Sequence, residues 1–477
     1  MPPNFPTSII NFRPAMPCHL ADINPFYWEG DYHAFYFGNF SDTGKWGWHH
    51  VVSNDLVHWR ELPPAVRPGD KRTDPDYEGC WSGSIIEHDG VFYLFYTGKN
   101  SQDPKGDQKV MCATSEDLII WTKKPEMTFY ADGNIYWSKP VNGPIDQVIE
   151  HHRAFRDPQL LWNDNASEWS FVLHACSAQD PEGVIGHYTS QNLTDWEPQD
   201  LLFKPGGGYS LDCPQMIFLN NKWYIISASL EYISANSTYG PYSTIPQRYG
   251  YGTLEVPKAV YDGERHVLIG WLWDRKGFRD EGVQVWGGTM AMAREIYAGD
   301  DEKLYLRPVQ EVIDYFGRPI LELKDKPVPT VASGSWEYIN GSLNVSKEYS
   351  GSAHGSFEVP ADYMLHARVK MPALGTVTVG FREQLGNVDT GYKLILSPET
   401  GEIILSDLGN YVHKMPASLD YDEPVDIRVF VMNNIIECFV NDAYNLGIRA
   451  YNFGEGLLSF DCSCEGIAIQ ALEVKVP

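Results

Sequence analysis

Three acidic side chains stand in apolar or aromatic stretches, where burying an unpaired charge is costly. Asp22 lies in Ala21-Asp-Ile-Asn-Pro-Phe-Tyr-Trp28 and Asp157 in Phe155-Arg-Asp-Pro-Gln-Leu-Leu-Trp162. Asp212 lies in Tyr209-Ser-Leu-Asp-Cys-Pro-Gln-Met-Ile-Phe218. Carboxylates gathered in one place repel one another, and their pKa values are forced apart. One then stays ionised as a nucleophile while another stays protonated as an acid, the division of labour that glycoside cleavage needs. Taken singly, Arg156-Asp157 also reads as a structural turn and Asp212 as a buried hydrogen-bond acceptor. Their positions against an internal repeat join them.

The repeat pairs an aromatic, alternating strand phrase with a closing phrase, S-x-D/N-L-x-x-W. Gly30-Asp-Tyr-His-Ala-Phe-Tyr-Phe-Gly38 is followed by Ser53-Asn-Asp-Leu-Val-His-Trp59, and Gly90-Val-Phe-Tyr-Leu-Phe-Tyr-Thr-Gly98 by Ser115-Glu-Asp-Leu-Ile-Ile-Trp121. Trp169-Ser-Phe-Val-Leu-His174 is followed by Ser190-Gln-Asn-Leu-Thr-Asp-Trp196, with fainter strand phrases at 222–228 and 266–272. The closing Trp recurs about 60–75 residues apart, the length of a four-stranded sheet with its loops. Such a sheet cannot cover both faces alone, so neighbours pack radially. The fold expected is all-β: a five-bladed β-propeller over residues 1–310, with the closing Trp residues packing between blades. Each of the three Asp residues then enters the innermost strand of a different blade, and those strands converge on one funnel. Residues 311–332 read as a linker, opened by the helically spaced Arg307-Pro-Val-Gln-Glu-Val-Ile-Asp-Tyr-Phe316. Residues 333–477 alternate as strands separated by turns and read as a β-sandwich.

Composition agrees. The chain of 477 residues has 15 Trp, 28 Tyr and 21 Phe beside 42 Gly and 32 Pro, a usage suited to short strands and turns and unsuited to helices. The net charge of −26 argues against nucleic acid. Neither an apolar run of membrane-spanning length nor a Lys/Arg-rich anchor stands in the sequence. The eight Cys form no C-x-x-C pair and are expected as buried thiols rather than a disulfide frame. Met1-Pro-Pro-Asn-Phe-Pro6 lacks the features of a signal peptide, so a cytoplasmic location is expected. Six N-x-S/T sequons, at Asn39, Asn165, Asn192, Asn236, Asn340 and Asn344, keep secretion open. The adjacent pairs His49-His50 and His151-His152 would face opposite sides of a strand, so no metal is expected. Gly206-Gly-Gly208 reads as a loop beside Asp212 rather than a phosphate cradle.

The order Asp22…Trp81-Ser-Gly-Ser84…Arg156-Asp-Pro158…Asp212-Cys-Pro214 resembles glycoside hydrolase family 32, the fructan- and sucrose-cleaving enzymes. Phe95-Tyr-Thr-Gly98, Ile269-Gly-Trp271 and Thr289-Met-Ala-Met-Ala-Arg294 agree with it, and the likeness covers about residues 18–310. It implies a five-bladed propeller followed by a sandwich. It implies Asp22 as nucleophile on a fructofuranosyl unit, Asp157 as the group that grips the ring hydroxyls and Asp212 as general acid/base. Arg156 would tune the acid, Trp81 and Ser82 would line the sugar pocket, and Trp48 and His50 would touch substrate. The expected partner is a fructose-containing oligosaccharide or polysaccharide, without a cofactor, nucleic acid or membrane, and a homodimer is held open. The sequence departs from the family in three places. A-D-I-N-P replaces N-D-P-N-G, Phe37-Gly38 stands where a Gln is usual, and D-C-P replaces E-C-P. The last change shortens the acid by one C–C bond, ~1.5 Å. Hydrolysis and fructosyl transfer, including closure to a difructose anhydride, use the same nucleophile. An arabinofuranosidase-type propeller and a non-catalytic oligosaccharide-binding propeller are the competing readings.

Overall fold

The computed structural model describes residues 9–15, 18–137, 154–163, 166–179, 183–205, 211–345, 352–407, 412–420 and 422–477. Its first part is five radially arranged antiparallel blades, the first two joined by a parallel bridge between Trp46 and Gly79. Blade one holds β1 (Ala21–Trp28), β2 (Asp31–Asn39), β3 (Trp46–Ser53) and β4 (Arg60–Val66). Blade two holds β5 (Gly79–His88), β6 (Val91–Lys99), β7 (Gln108–Ser115) and β8 (Thr122–Lys123). Blade three holds β9 (Phe155–Asn163), β10 (Glu168–Cys176), β11 (Gly183–Ser190) and β12 (Glu197–Pro198). Blade four holds β13 (Gln215–Leu219), β14 (Lys222–Ile226), β15 (Glu231–Ala235) and β16 (Gln247–Arg248). Blade five holds β17 (Leu254–Tyr261), β18 (His266–Arg275), β19 (Gln284–Met290), β20 (Arg294–Ala298) and β21 (Leu304–Pro308). The protein is a five-bladed β-propeller followed by a β-sandwich.

The closing phrase of the repeat has a local cause. The Ser side chain takes the backbone N–H of the Asp or Asn two residues on, at 3.2 Å in each of the three copies. That Asp or Asn then accepts N–H groups two and three residues further along through its Oδ1. This side-chain-to-backbone turn drives the intervening Leu56, Leu118 and Leu193 to positive φ. It delivers the Trp to the next interface. Trp121 packs edge-on against Phe35 of blade one, and Trp196 against Phe95 of blade two.

A second repeat runs around the axis and is not visible as a sequence phrase. In β1 the extra residue of a register shift is Asp22, in β5 it is Ser82, and in β9 the shift takes in Asp157. Asp22, Asp157, Cys213 just before β13, and Val256 in the shifted part of β17 all have positive φ. Two residues after each of these five positions stands a polar side chain that stitches to the next innermost strand. Asn24 Oδ1 accepts from Gly83 N (3.3 Å), and the Ser84 hydroxyl donates to Pro158 O (3.0 Å). Gln159 Oε1 accepts from Met216 N (2.9 Å), and Gln215 Oε1 from Ala259 N (2.6 Å). Lys258 Nζ closes the ring by donating to Asn24 Oδ1 at 2.6 Å and Gly83 O at 2.8 Å. Each buried bond contributes about 1 kcal/mol, and together they hold the bulged level of every blade in register. Gly83 is required there: a Cβ would sit 1.9 Å from Phe95 O. The segment before β1 also runs along β19, with Gly288 N donating to Leu20 O and Met290 N to Phe12 O, which ties the start of the ring to its last blade.

The expected linker is structured. A short helix, α1 (Gln310–Tyr315), buries Val312 between the two parts, in one apolar cluster with Met364, Phe430 and Phe439. The following strand β22 (Arg318–Glu322) pairs with Ala468–Val476 of the sandwich. A linker over 311–332 is therefore a misreading. The Pro and Lys residues that suggested one flank a short edge strand, which tolerates them. The sandwich packs an eight-stranded sheet, centred on Tyr363–Lys370, against a seven-stranded sheet that contains Val377–Glu383. Their inner faces share one aliphatic core that includes Val369, Val379, Leu394, Ile427 and Phe460. Buried ion pairs fix the sandwich to blade five: Asp274 meets both Arg13 and Arg449, and Arg294 pairs with Glu437. The eight cysteines are thiols rather than disulfides, six of them buried. Among the described residues no helix is long and apolar enough to cross a membrane.

Candidate active site

The bulged level of the five blades opens into a cavity of about 520 Å³. Every blade lines it: Asp22, Phe37 and Trp46 from the first, Trp81 from the second, Arg156 and Asp157 from the third, Asp212, Cys213 and Ala228 from the fourth, Val256 and Trp286 from the fifth. A bulge inserts one residue and re-aims its side chain, which turns residues 22 and 157 inward, and Asp212 joins them from the segment before β13, beside the positive-φ Cys213.

Asp22 is held on one side only. Its Oδ2 accepts from the Ser82 hydroxyl at 2.8 Å, while Oδ1 makes no well-formed hydrogen bond. Burial raises its pKa above the ordinary carboxylate value, and the Ser82 hydroxyl, the Lys258 ammonium and the Trp271 indole draw it part of the way back. Asp157 is 4% exposed, and its backbone N–H donates to Thr97 Oγ1 at 2.8 Å. Burial pushes its carboxyl up to about 6 against the pull of Arg156 and Lys258. Arg156 bridges two of the acids, with Nε 3.5 Å from Asp157 Oδ2 and Nη2 donating to Asp212 Oδ1 at 2.8 Å. Asp212 also meets His174 Nδ1 through Oδ1. Its backbone carbonyl accepts from Ala228 N, whose own carbonyl accepts from Val256 N.

The expected site residues divide accordingly. Asp22, Asp157, Asp212, Arg156 and Trp81 line the cavity, and Ser82 stands behind Asp22. Trp48 and His50 do not line it. Trp48 is fully buried, and its indole N–H donates to Trp81 O at 2.9 Å, so it supports Trp81 from behind. His50 stacks on Phe35 at 3.9 Å and pairs with His33, and burial pushes its imidazole down to about 2, leaving it neutral. Both misassignments have one cause: Trp46, Trp48 and His50 are spaced by two along β3 and share its alternation, so the sequence does not show how far along the strand the funnel opens. Trp46, two residues before Trp48 in β3, reaches the rim instead and packs edge-on against Trp286 at 4.6 Å.

His174, Lys258, Trp46 and Trp286 were not picked out from the sequence. The one signal that finds Lys258 is its offset of two residues from a bulge, which needs the register first. His174, Asp157 and Asp212 bring their polar atoms within 4.8 Å of one another. The Arg156 guanidinium already lies against both carboxylates, so the cluster carries its own cation and is an ion-paired acid group rather than a metal cage. His49 belongs to an aromatic cluster with Tyr36 and Phe40. His151, His152 and Gly206–Gly208 lie outside the described residues.

Comparison with known proteins agrees with this layout. Residues 18–308 match the family described as "Glycosyl hydrolases family 32 N-terminal domain". The chain is 28% identical over 326 residues to a sucrose-6-phosphate hydrolase of Escherichia coli, covering 61% of this chain and 62% of that protein. It is 26% identical over 331 residues to an insoluble β-fructofuranosidase isoenzyme of Arabidopsis thaliana, covering 60% and 55%. The matched stretch thus spans about three fifths of the length of these curated relatives. In fold it is similar to fructan 1-exohydrolase IIa of Cichorium intybus, solved with 1-kestose, with a TM-score of 0.72, 19% identity and coverage of 100% and 98%. It is likewise similar to sucrose-6-phosphate hydrolase of Lactobacillus gasseri, with a TM-score of 0.70, 20% identity and coverage of 96% and 90%. The family match takes in more than half of the 477 residues, and the chain belongs to glycosyl hydrolases family 32.

Proposed function

We propose that this protein is a retaining glycosidase acting on β-fructofuranosides. The observation that carries the reading is the meeting of Asp22, Asp157 and Asp212 in one aromatic-walled cavity, with Asp22 tethered through a single oxygen. Asp22 Oδ1 attacks the anomeric carbon as Asp212 gives its proton to the departing glycosidic oxygen. Asp157, beside Arg156, grips the ring hydroxyls and balances the positive charge that develops on the sugar. Water then opens the fructosyl ester, losing its proton to Asp212. A nucleophile raised by burial is a better donor once ionised, so activity falls as pH drops through the Asp22 pKa. The relatives named above, a β-fructofuranosidase and sucrose-6-phosphate hydrolases, support fructosyl chemistry over the arabinofuranoside alternative.

Trp46, Trp81 and Trp286 support a second outcome of the same chemistry, since aromatic faces at the mouth suit the CH faces of an acceptor sugar. Fructosyl transfer then competes with hydrolysis. Incubation with sucrose, inulin and levan, with products resolved by chromatography and NMR, tests both. Free fructose marks hydrolysis, and new oligosaccharides or a difructose anhydride mark transfer. If none of these substrates yields any such product, the proposal fails. Inversion at the anomeric carbon would also exclude it, and binding without turnover would favour the non-catalytic reading.

A further inference from the structure

We infer that His174 is a positioning residue for the acid/base, compensating for an aspartate where related chains carry a glutamate. The inference rests on the proposed role of Asp212. His174 stands in β10, the second strand of its blade, directly across from Arg156 on β9. It is completely buried, yet its Nδ1 reaches Asp212 Oδ1 across to blade four. The register shift in β9 at Asp157 and Pro158 sets His174 opposite Arg156. Both side chains therefore meet the same oxygen of Asp212. An aspartate carboxyl on its short stem has little reach of its own. Two donors on Oδ1 turn the carboxyl so that Oδ2 is the oxygen presented to the glycosidic bond.

The electrostatic sign follows. The charged and titratable groups around Asp212 are Arg156 and Asp157 on β9, His174 on β10, the neighbouring Cys213, and Lys258 and Asp22 across the funnel. Donation from His174 favours the ionised form of Asp212 and so lowers its pKa. An acid works only while protonated. Removing the donor therefore moves the alkaline limb of the pH–rate profile to higher pH, even as the misdirected carboxyl protonates a poor leaving group less well.

The test uses the full chain with His174→Leu, which keeps bulk without a donor, and His174→Asn, whose amide N–H falls near the place of Nδ1. Sucrose needs protonation of its leaving group, and an aryl β-fructofuranoside with an acidic phenol needs little. For His174→Leu, kcat/KM on sucrose is expected to fall ~10–100-fold, a part of the 10²–10⁴ that a general acid supplies, with the aryl substrate within ~3-fold. Its alkaline limb shifts upward, and His174→Asn recovers most of the loss. Equal loss on both substrates, an unmoved alkaline limb or a fully active Leu variant overturns the inference. If the Leu variant does not fold, ¹⁵N-histidine NMR of the wild type decides. A protonated Nδ1 at His174, with its attached proton shifted downfield, is expected, and an unprotonated Nδ1 overturns the inference. Wild-type turnover of either substrate tests the proposed function separately.

Discussion

Two clusters in this molecule have the same ingredients, one histidine and two carboxylates with polar atoms within 4.8 Å of one another. One is Asp157, His174 and Asp212 in the funnel, and the other is His354, Glu383 and Asp461 in the sandwich. In the sandwich His354 Nδ1 lies 2.7 Å from Asp461 and Nε2 3.2 Å from Glu383. Lys393 and Ser459 complete the Glu383 shell at 3.0 and 2.8 Å. Those bonds to Asp461 and Glu383 push His354 up to about 9. Burial alone would raise Glu383, but His354, Ser459 and Lys393 hold it near 2. In the funnel burial wins instead. Asp157 is pushed up to about 6, Asp22 is raised, and Glu255 beside them is pushed up to about 7. Arg156 and Lys258 do not offset the three aspartates and Glu255. The sandwich cluster satisfies its charges and stabilises the fold. In the funnel burial outweighs the partners of Asp22, Asp157 and Glu255, which costs stability and keeps them reactive.

The largest expected break in that contrast is Asp22→Asn, which removes the nucleophile. Turnover of sucrose or an aryl fructoside should fall by roughly 10³-fold or more, with an unchanged circular dichroism spectrum. Asp157→Asn should also cut the rate, by on the order of 10²-fold, while stabilising the protein. The sign follows from a folded pKa of about 6 against an ordinary 3.8: the native state binds the extra proton, so stability falls as pH rises from one value to the other. Calorimetry should therefore find the variant's Tm a few degrees above wild type at pH 7.5 and level with it near pH 3.5. A variant less stable at pH 7.5 would contradict the funnel's side of the comparison.

Ser82→Ala sharpens it further. Losing one hydrogen bond to the Asp22 carboxylate should lower kcat about 10-fold and move the acid limb of the profile to higher pH, since the ionised form loses a donor. For the sandwich the expectation is reversed. The His354 contribution is fully present below pH 6.5 and lost as pH rises through about 9. His354→Gln should lower Tm by a few degrees at pH 6, converge with wild type above pH 10 and leave kcat/KM untouched. The smallest effect belongs to Trp48→Phe. It removes the donor to Trp81 O, costing about 1 kcal/mol of stability with KM changed less than ~2-fold.

The sequence displayed what is local and hid what is not. The S-x-D/N-L-x-x-W phrase was legible because a turn made by side chains two residues apart must be written out in order. The acidic trio was legible because each member carries apolar neighbours. The ring of stitches at Asn24, Ser84, Gln159, Gln215 and Lys258 was hidden, since each side chain bonds to a different blade and the five types share only a place. That Trp46 rather than Trp48 lines the cavity was hidden because alternation places both on one face without saying how far along the strand the funnel opens. The strand Arg318–Glu322 was hidden because an edge strand completed by residues about 150 positions later leaves little local pattern.

The central claim is that Asp22 carries the fructosyl group. The most direct measurement is an acid quench of the full chain during turnover of an aryl β-fructofuranoside, followed by proteolysis and mass spectrometry. A peptide containing Asp22 and heavier by one fructosyl residue is the expected result, absent from Asp22→Asn. Steady product release with no such adduct, or an adduct on Asp157 or Asp212, would contradict it.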